Sequence, residues 1–481
     1  MSIKGLKKDE YDVVIIGAGI GGLVCGCYLA KAGMKVLIVE KNDKPGGYCC
    51  SFERGGFRFD VGAHALGGMY EGGPLRKIIH ELNLDVEITR INPSDTIITP
   101  DYKIYIWNDL RRTIYNFQDS FPMEAKNLDS FFSFILNARI TEMLINLREK
   151  TFSQFLDQYF KDKKLKTILS LPLGNLGVSS KIASAIASVF LYRQFIFNGG
   201  YYPIGGMQSL PTALSNKFRE FGGKILFSKL VERIAVSNST AKGVFIEENG
   251  LINSNFVVSN CDIRQTFFKL IENKFLRNDF LDNIQSIVPS PSVFAVYIGL
   301  ADNLNNCIVP EGCALWYTSV YDIDSSFLNS KDTNKIDYLR KGFFCSLSYV
   351  NSGDTQYNKK NIHLLRIVPF KNKKFWEENK HMLAERLIGQ LNDLIPNISK
   401  YVILKETATP YDFYRYTLNY KGSAYGCAIV LNEKKLSYKI PIKNLFITGH
   451  WFYNEFGTGG ISPVASVGYS TSQKILKYNL K

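Results

Sequence analysis

Histidine is scarce in this chain, with five in 481 residues. His64, His80, His363, His381 and His450 show no ligand spacing among them, so the sequence offers no metal site. Cysteine is no better organised. Nine are present, but Cys25/Cys27 and Cys49/Cys50 are too close together to read as disulfides, and no paired CxxC zinc spacing occurs. A disulfide framework is therefore excluded, and a reducing cytoplasm is the expected compartment. No signal peptide is expected, because the first ten residues are polar and charged.

Long apolar runs are missing too. Residues 13–30 are apolar but glycine-rich, and read as strand, turn and helix. Residues 182–197 fall short of the ~20 that a spanning helix needs, and Arg193 interrupts them. No transmembrane helix is expected. Nucleic-acid motifs are also lacking, and the longest basic cluster is the modest one at 161–166, so no nucleic-acid partner is expected. Formal net charge is nevertheless +14, from 58 Lys and Arg against 44 Asp and Glu. With lysines spread along the chain, this fits either a solvated basic surface or peripheral attachment to anionic lipid.

What is present is a chain long enough for two or three domains at about 150 residues each. Its 33 Phe and 27 Tyr favour a large apolar interior, a cavity for an apolar ligand, or both. Residues 11–40 form a compact βαβ pattern. Residues 121–200 read as mostly helical, with Met123–Glu149 as one long segment on a helical period. Residues 200–262 return to α/β character. A helix running to Phe221 is stopped by Gly222-Gly223, and strand candidates follow at 224–227, 232–236, 243–247 and 256–259. Strands are also expected at 293–300 and 363–368, a helix at 376–394, and a strand at 445–448 before a glycine loop and a last helix. Dinucleotide-binding signals thus lie at both ends and in the middle. The fold class is α/β: one discontinuous Rossmann-like cofactor domain, residues 1–95, 200–290 and 410–481, with an α+β substrate domain inserted twice, residues 96–199 and 291–409.

The cofactor signal is specific. Strand residues Val13–Ile16 run into Gly17-Ala18-Gly19-Ile20-Gly21-Gly22, a GxGxxG motif. Gly17 permits the tight turn, Gly19 lets a pyrophosphate approach the backbone, and Gly22 lets the helix lie close to the strand. Gly33 fits a C-cap, and Glu40 ends the second strand, where an acid binds ribose hydroxyls. The helix N-terminus offers free N–H groups to the phosphates. A second glycine-rich stretch, with Gly46-Gly47 and then Gly55 to Gly62, follows directly. It suits a longer dinucleotide, which points to FAD.

The segment 12–68, ending in Gly62-Ala63-His64-Ala65-Leu66-Gly67-Gly68, resembles the group of flavoproteins that holds phytoene desaturases, carotenoid isomerases and retinol saturases. The resemblance recurs at Tyr202–Leu214, Val258–Asp262, Lys421–Gly426 and Asn444–Gly468. It implies FAD, a two-domain fold like that of the amine oxidases, and a long apolar substrate. Beside the motif residues Gly17, Gly19, Gly21, Gly22 and Glu40, it implies cofactor contacts at Lys41, Gly46, Gly47, Asp60, Gly62, Val231, Gly449, Gly460 and Ile461. After Gly449, where relatives often carry an acid or a small residue, this chain has His450-Trp451. Glu455 is the candidate to serve in place of that acid.

Hydride chemistry at a carbon–carbon bond belongs to the flavin, and the protein must place the substrate and tune the cofactor. Ser462 suits the N-cap and Pro463 the first position of the last helix, whose N–H groups would face the flavin. No catalytic acid–base pair has convincing spacing. His64 and His450 are the candidates, each against a structural reading. The aromatic run Tyr411, Phe413, Tyr414, Tyr416, Tyr420 and Tyr425 reads either as the lining of an apolar tunnel or as sheet packing. The helical segment 121–200 reads as a lid touching the membrane or as core. The leading function is an FAD-dependent oxidoreductase or isomerase acting on a polyene or isoprenoid. An amine oxidase is the second reading, and a non-catalytic escort of prenylated proteins on the same fold is the third.

Overall fold

The computed structural model describes residues 10–247, 249–301, 312–324, 343–346, 359–431, 440–452 and 460–479. Two seven-stranded sheets organise it. In the first, Tyr11–Ile16 lies at the centre, paired in parallel with Val36–Val39 on one side and with the end of Gly250–Ser259 on the other. Lys224–Leu226 extends the sheet beyond Val36–Val39. Leu445–Ile447 pairs in parallel with Gly250–Ser259 on the opposite side. An antiparallel meander of Val231–Ser237 and Thr240–Ile246 completes it. The central strand is buried along nearly its whole length, as parallel strands covered on both faces must be. The chain leaves it towards opposite sides of the sheet, and a crevice opens at the carboxyl ends of such strands. Gly17, Glu40, Asn260 and Gly449 follow the four strand ends there.

The first helix, Ile20–Lys31, packs on this sheet with almost every residue buried. It gives way to Ala32 and then Gly33 at φ +85°, a left-handed stop that glycine adopts without strain. The last helix, Ile461–Asn479, crosses the first at very short range. A Cβ at Gly468 would lie 2.4 Å from the Gly21 carbonyl. This helix begins earlier than the sequence suggests: Val464 N–H donates to the Gly460 carbonyl at 3.1 Å. Gly460 therefore stands at the cap, and Ser462 and Pro463 lie inside the first turn.

The second sheet is ordered Val402–Ala408, Ser292–Leu300, Asn361–Val368, Phe343–Ser346, Ala314–Tyr317, Asp95–Ile98 and Lys103–Ile106. Ser292–Leu300 is buried at all nine positions. One face meets the Phe57 and Phe59 side chains and the other faces the helix Lys373–Leu394, which explains its unbroken apolar run.

A helical layer with a phenylalanine-rich core, including Phe117, Phe131, Phe132, Phe152 and Phe155, covers residues 110–197. The single segment expected over Met123–Glu149 is in fact a 3-10 turn and two helices, Ala125–Asn137 and Ile140–Leu147. The break has a cause outside the local sequence. Arg193 donates from Nε to the Ile135 carbonyl at 2.7 Å and from Nη2 to the Ala138 carbonyl at 3.0 Å. These are carbonyls that a continuing helix would have used itself. Arg193 stands in a π turn, Tyr192–Ile196, that follows the helix Ala185–Leu191.

Candidate cofactor and substrate site

One cavity runs from the carboxyl ends of the first sheet to the helical layer. At the sheet end Glu40 is buried, with two backbone N–H groups fixing its carboxylate. Ala18 donates to Oε2 at 2.7 Å and Asn42 to Oε1 at 2.9 Å. Burial raises the Glu40 pKa above the ordinary carboxylate value, and those two N–H groups pull it back. Burial likewise lowers the pKa of Lys41, against the pull of Glu40. The carboxylate is thus oriented by the main chain and keeps lone pairs for a ligand's hydroxyls.

The glycine motif does what its spacing implies, with one addition. A Cβ at Gly22 would lie 2.2 Å from the Gly17 carbonyl, so helix and strand meet only because it is glycine. At Gly19 and Gly21 the nearest obstacle is a side chain the sequence reading did not assign. The Asn260 amide lies 2.9 Å from a Cβ at either position and 2.5 Å from one at Gly449. Asn260 Nδ2 donates to the Gly17 carbonyl at 3.3 Å. This amide joins the ends of three neighbouring strands and lines the cavity floor. The signal in the sequence was the Val258–Asp262 block itself, which quoted Asn260 without a role.

Of the expected contact residues, Gly17, Gly19, Gly21, Glu40, Lys41, Gly46, Gly47, Gly62, Val231, Gly449, Gly460 and Ile461 all line the cavity. Gly46 N–H donates to the Ala18 carbonyl at 2.9 Å, which lays the second glycine turn beside the first. Gly22 stands behind the wall. Asp60 does not line the cavity and corrects the sequence reading. It is buried and already saturated, accepting from Ser51 Oγ at 2.6 Å, the Met207 N–H at 3.0 Å and the Tyr202 hydroxyl. Its work is to tie the hairpin Ser51–Asp60 to the 202–207 turn. Glu455 lies outside the described residues.

His64 and His450 both line the cavity. Burial lowers each to about 4, against a weak opposing bond at Gly62 for His64, so both are neutral at pH 7. The aromatic run divides. Pro410–Thr417 is a helix, not a strand. Phe413, Tyr416 and Tyr425 line the cavity, whereas Tyr411 and Tyr414 pack on each other elsewhere. Tyr48, Phe190 and Phe195 join the wall and were not expected in it. They come from loops and helices that only the fold brings together.

The charge of the wall is uneven. Among the described residues Glu40, Lys41 and Lys229 are its charged ones, all beside the end of the strand Val36–Val39 or the turn that pairs with it. From the glycine motif to the helical layer no described residue of the wall is charged. The pocket fits a dinucleotide. It has a fixed acid for hydroxyls, helix N-termini for phosphates, and shielded polar atoms, Ser462 Oγ and His450 Nε2 among them, that have no partner among the described residues.

A family model described as flavin-containing amine oxidoreductase matches residues 20–458. The chain belongs to that family. Its cofactor is FAD, and the protein is an FAD-dependent oxidoreductase. Among curated relatives, an all-trans-retinol 13,14-reductase of Danio rerio is 23% identical, covering 92% of this chain and 82% of its own. A chloroplastic prolycopene isomerase of Daucus carota is 25% identical over 87% of this chain and 72% of its own. A 4,4'-diaponeurosporene oxygenase of Staphylococcus aureus is 22% identical over 96% and 97%. Solved structures share the fold. An oxidoreductase from Methanosarcina mazei superposes with a TM-score of 0.69 at 18% identity, over 97% of this chain and all of its own. A putrescine oxidase variant gives 0.67 at 13% identity, over 98% and 99%. These neighbours confirm an amine-oxidase-type FAD fold of the α/β class. Among the described residues no helix is long and apolar enough to cross a membrane.

Proposed function

We propose that this flavoenzyme acts on carbon–carbon bonds of a long apolar polyene or isoprenoid, by desaturation, saturation or isomerisation. The observation that carries the reading is the uncharged cavity wall beyond Glu40, Lys41 and Lys229, built from residues such as Leu176, Phe190, Leu191, Phe195, Val293 and Leu365. A neutral hydrocarbon chain loses nothing on entering such a wall and gains about 25 cal/mol per Å² of apolar surface removed from water. An amine cation would enter it uncompensated, because no carboxylate lines that end among the described residues. The names of the relatives, which concern retinol, prolycopene and diaponeurosporene, support the same reading.

Bound FAD supplies the hydride chemistry. Glu40 accepts from the ribose hydroxyls, and the first turn of Ile20–Lys31 faces the phosphates. Gly449, Gly460 and Ile461 approach the flavin, with the N-terminus of the last helix favouring negative charge on the ring. His64 and His450, neutral at working pH, shape the wall rather than move protons. Residues 1–95, 200–290 and 410–481 form the cofactor domain, and 96–199 with 291–409 form the substrate domain. The division follows the two sheets, with Asp95 at the seam. The protein works in the cytoplasm, docked peripherally on an anionic membrane that delivers its substrate. Its charge of +14 and the exposed Met123, Ile140 and Ile145 on the helical layer support this.

The test is product analysis with the purified holoenzyme. Candidate polyenes are supplied under oxidising and under reducing conditions, with aliphatic amines as controls. A polyene product of altered bond order or geometry is expected. Turnover of amines with every polyene inert overturns the reading.

A further inference from the structure

The helical layer gives the cavity an apolar wall with two amides in it, Asn175 and Gln194, among Leu176, Phe190, Leu191 and Phe195. Gln194 stands in the π turn Tyr192–Ile196. Phe197 N–H reaches back five residues to the Tyr192 carbonyl at 2.9 Å, so the turn is one residue wider than an α-helix. Positions 190, 191, 194 and 195 line the cavity together. Such turns are rare and gather at functional sites. The Gln194 main-chain carbonyl accepts from the Gly68 N–H at 3.2 Å, which seats the turn on the segment carrying His64. The Gln194 side-chain amide is half-buried and makes no hydrogen bond among the described residues. Asn175 Nδ2 is fully shielded and also lacks a partner among the described residues. A shielded amide left unbonded, as at Asn175, costs free energy that a leucine or methionine would not, and Gln194 presents a second amide to the same cavity, so a partner supplied from elsewhere would satisfy both.

We propose that Gln194, assisted by Asn175, binds an oxygen function of the substrate, a hydroxyl or a carbonyl, and that the substrate is therefore an oxygenated polyene rather than a pure hydrocarbon. The inference rests on the polyene reading above and narrows it. Gln194 offers both a donor and an acceptor, so it recognises an alcohol as well as a ketone or aldehyde. Its place beside Gly67, Gly68 and His64 sets the oxygenated end, and hence the reacting bond, at a fixed distance along the chain.

The experiment uses the holoenzyme and two probes of one skeleton, all-trans-retinol and the hydrocarbon that lacks its hydroxyl. Binding is read from the perturbation of flavin absorbance. The wild type should prefer the alcohol by about tenfold or more. Gln194→Met should abolish that preference by weakening the alcohol alone, with flavin content unchanged, and Asn175→Leu should reduce it. Equal affinity of the wild type for both probes overturns the inference while leaving the polyene reading in place, and needs no variant to fold. Loss of flavin from a folded Gln194→Met also overturns it, by assigning the amide to the cofactor. A wild type that binds neither probe also overturns the inference, while the polyene reading is judged by the product analysis above.

Discussion

Asn260 stands where the glycines of three loops converge, and this changes what those glycines are for. Gly19 lacks a side chain partly to admit a phosphate and partly to admit Asn260, its one close neighbour within 4 Å of a Cβ. The two demands separate experimentally. Gly19→Ala should destabilise the apoprotein by about 1–3 kcal/mol, and Asn260→Ala should restore most of that loss. Flavin affinity should stay low in the double variant, because the phosphate still meets the new methyl. Thermal melting with and without FAD reads both. Gly460 gives the opposite case: among the described residues a Cβ there meets only Pro463, at 3.4 Å, which is ordinary contact. Gly460→Val should therefore melt like the parent apoprotein and fail to retain FAD; a parent-like flavin content would show that the cofactor does not approach it. The buried histidines make a pH prediction. His64 and His450 are lowered to about 4 by burial. His363 is lowered to about 3, by burial and then by His64, while stacked 4.5 Å from Tyr297. Groups held neutral in the fold contribute fully above the unfolded value near 6.5, and that stability is lost as pH falls from about 6.5 towards 3–4. His363→Phe should flatten the melting temperature across that window; an unchanged slope would reassign the acid lability. His64→Ala and His450→Ala should keep flavin and measurable turnover, since a true acid–base residue is worth roughly 100- to 10,000-fold in rate.

Among the elements, the crossing of the first and last helices is the most exposed to a single methyl. Gly468→Ala would drive its Cβ to 2.4 Å from a main-chain oxygen that cannot step aside. A loss of about 2 kcal/mol or more is expected in denaturant unfolding, with flavin affinity falling as the two helix N-termini separate. A stability within 0.5 kcal/mol of wild type would mean that the helices move apart freely. Elements were legible in the sequence where one local rule decided them. The glycine turn, the Gly222 stop and the uninterrupted apolar run of Ser292–Leu300 all carry their cause within a few residues. What stayed hidden depended on distant partners. Ala125–Asn137 ends where Arg193 takes its carbonyls, from more than fifty residues away. Pro410–Thr417 is a helix started by a capping box at Thr409 and Asp412, and its aromatic run, read either as tunnel lining or as sheet packing, divides between the cavity and packing elsewhere. Asp60 looked like a cofactor ligand because it stands in a family-like block, but that block also joins its hairpin to Tyr202 and Met207. The floor of the site was readable from Gly17–Glu40. Its roof, with Gln194 and Phe195, was not, since local periodicity does not show that this stretch meets the Gly67–Gly68 turn far away in the chain.

At the scale of the whole molecule, charge and apolar exposure act together. The +14 balance should draw the protein to anionic vesicles at low salt, and the attraction should weaken as the Debye length shrinks from about 30 Å at 0.01 M to about 10 Å at 0.1 M. Met123 and Ile145, both exposed on the helical layer, should leave a salt-resistant fraction that Met123→Ser with Ile145→Ser removes. Vesicle flotation reads each, and no binding to anionic vesicles at low salt would end the membrane assignment. The order of the first sheet has a further consequence, for how the protein is made. Its central strand, Tyr11–Ile16, leaves the ribosome early, yet its neighbour Gly250–Ser259 follows more than two hundred residues later, and Leu445–Ile447 nearly two hundred after that. A nascent chain that has not yet reached Gly250 holds the phosphate turn and the ribose acid but neither Gly449 nor the last helix. Cofactor capture is thus a post-translational event, and the long loops that must close first make folding slow. Until then the face formed by Val14, Ile16, Leu37 and Val39 lacks its cover, which comes from Val231 onward, and a nascent chain with such a face exposed is the kind that chaperones hold.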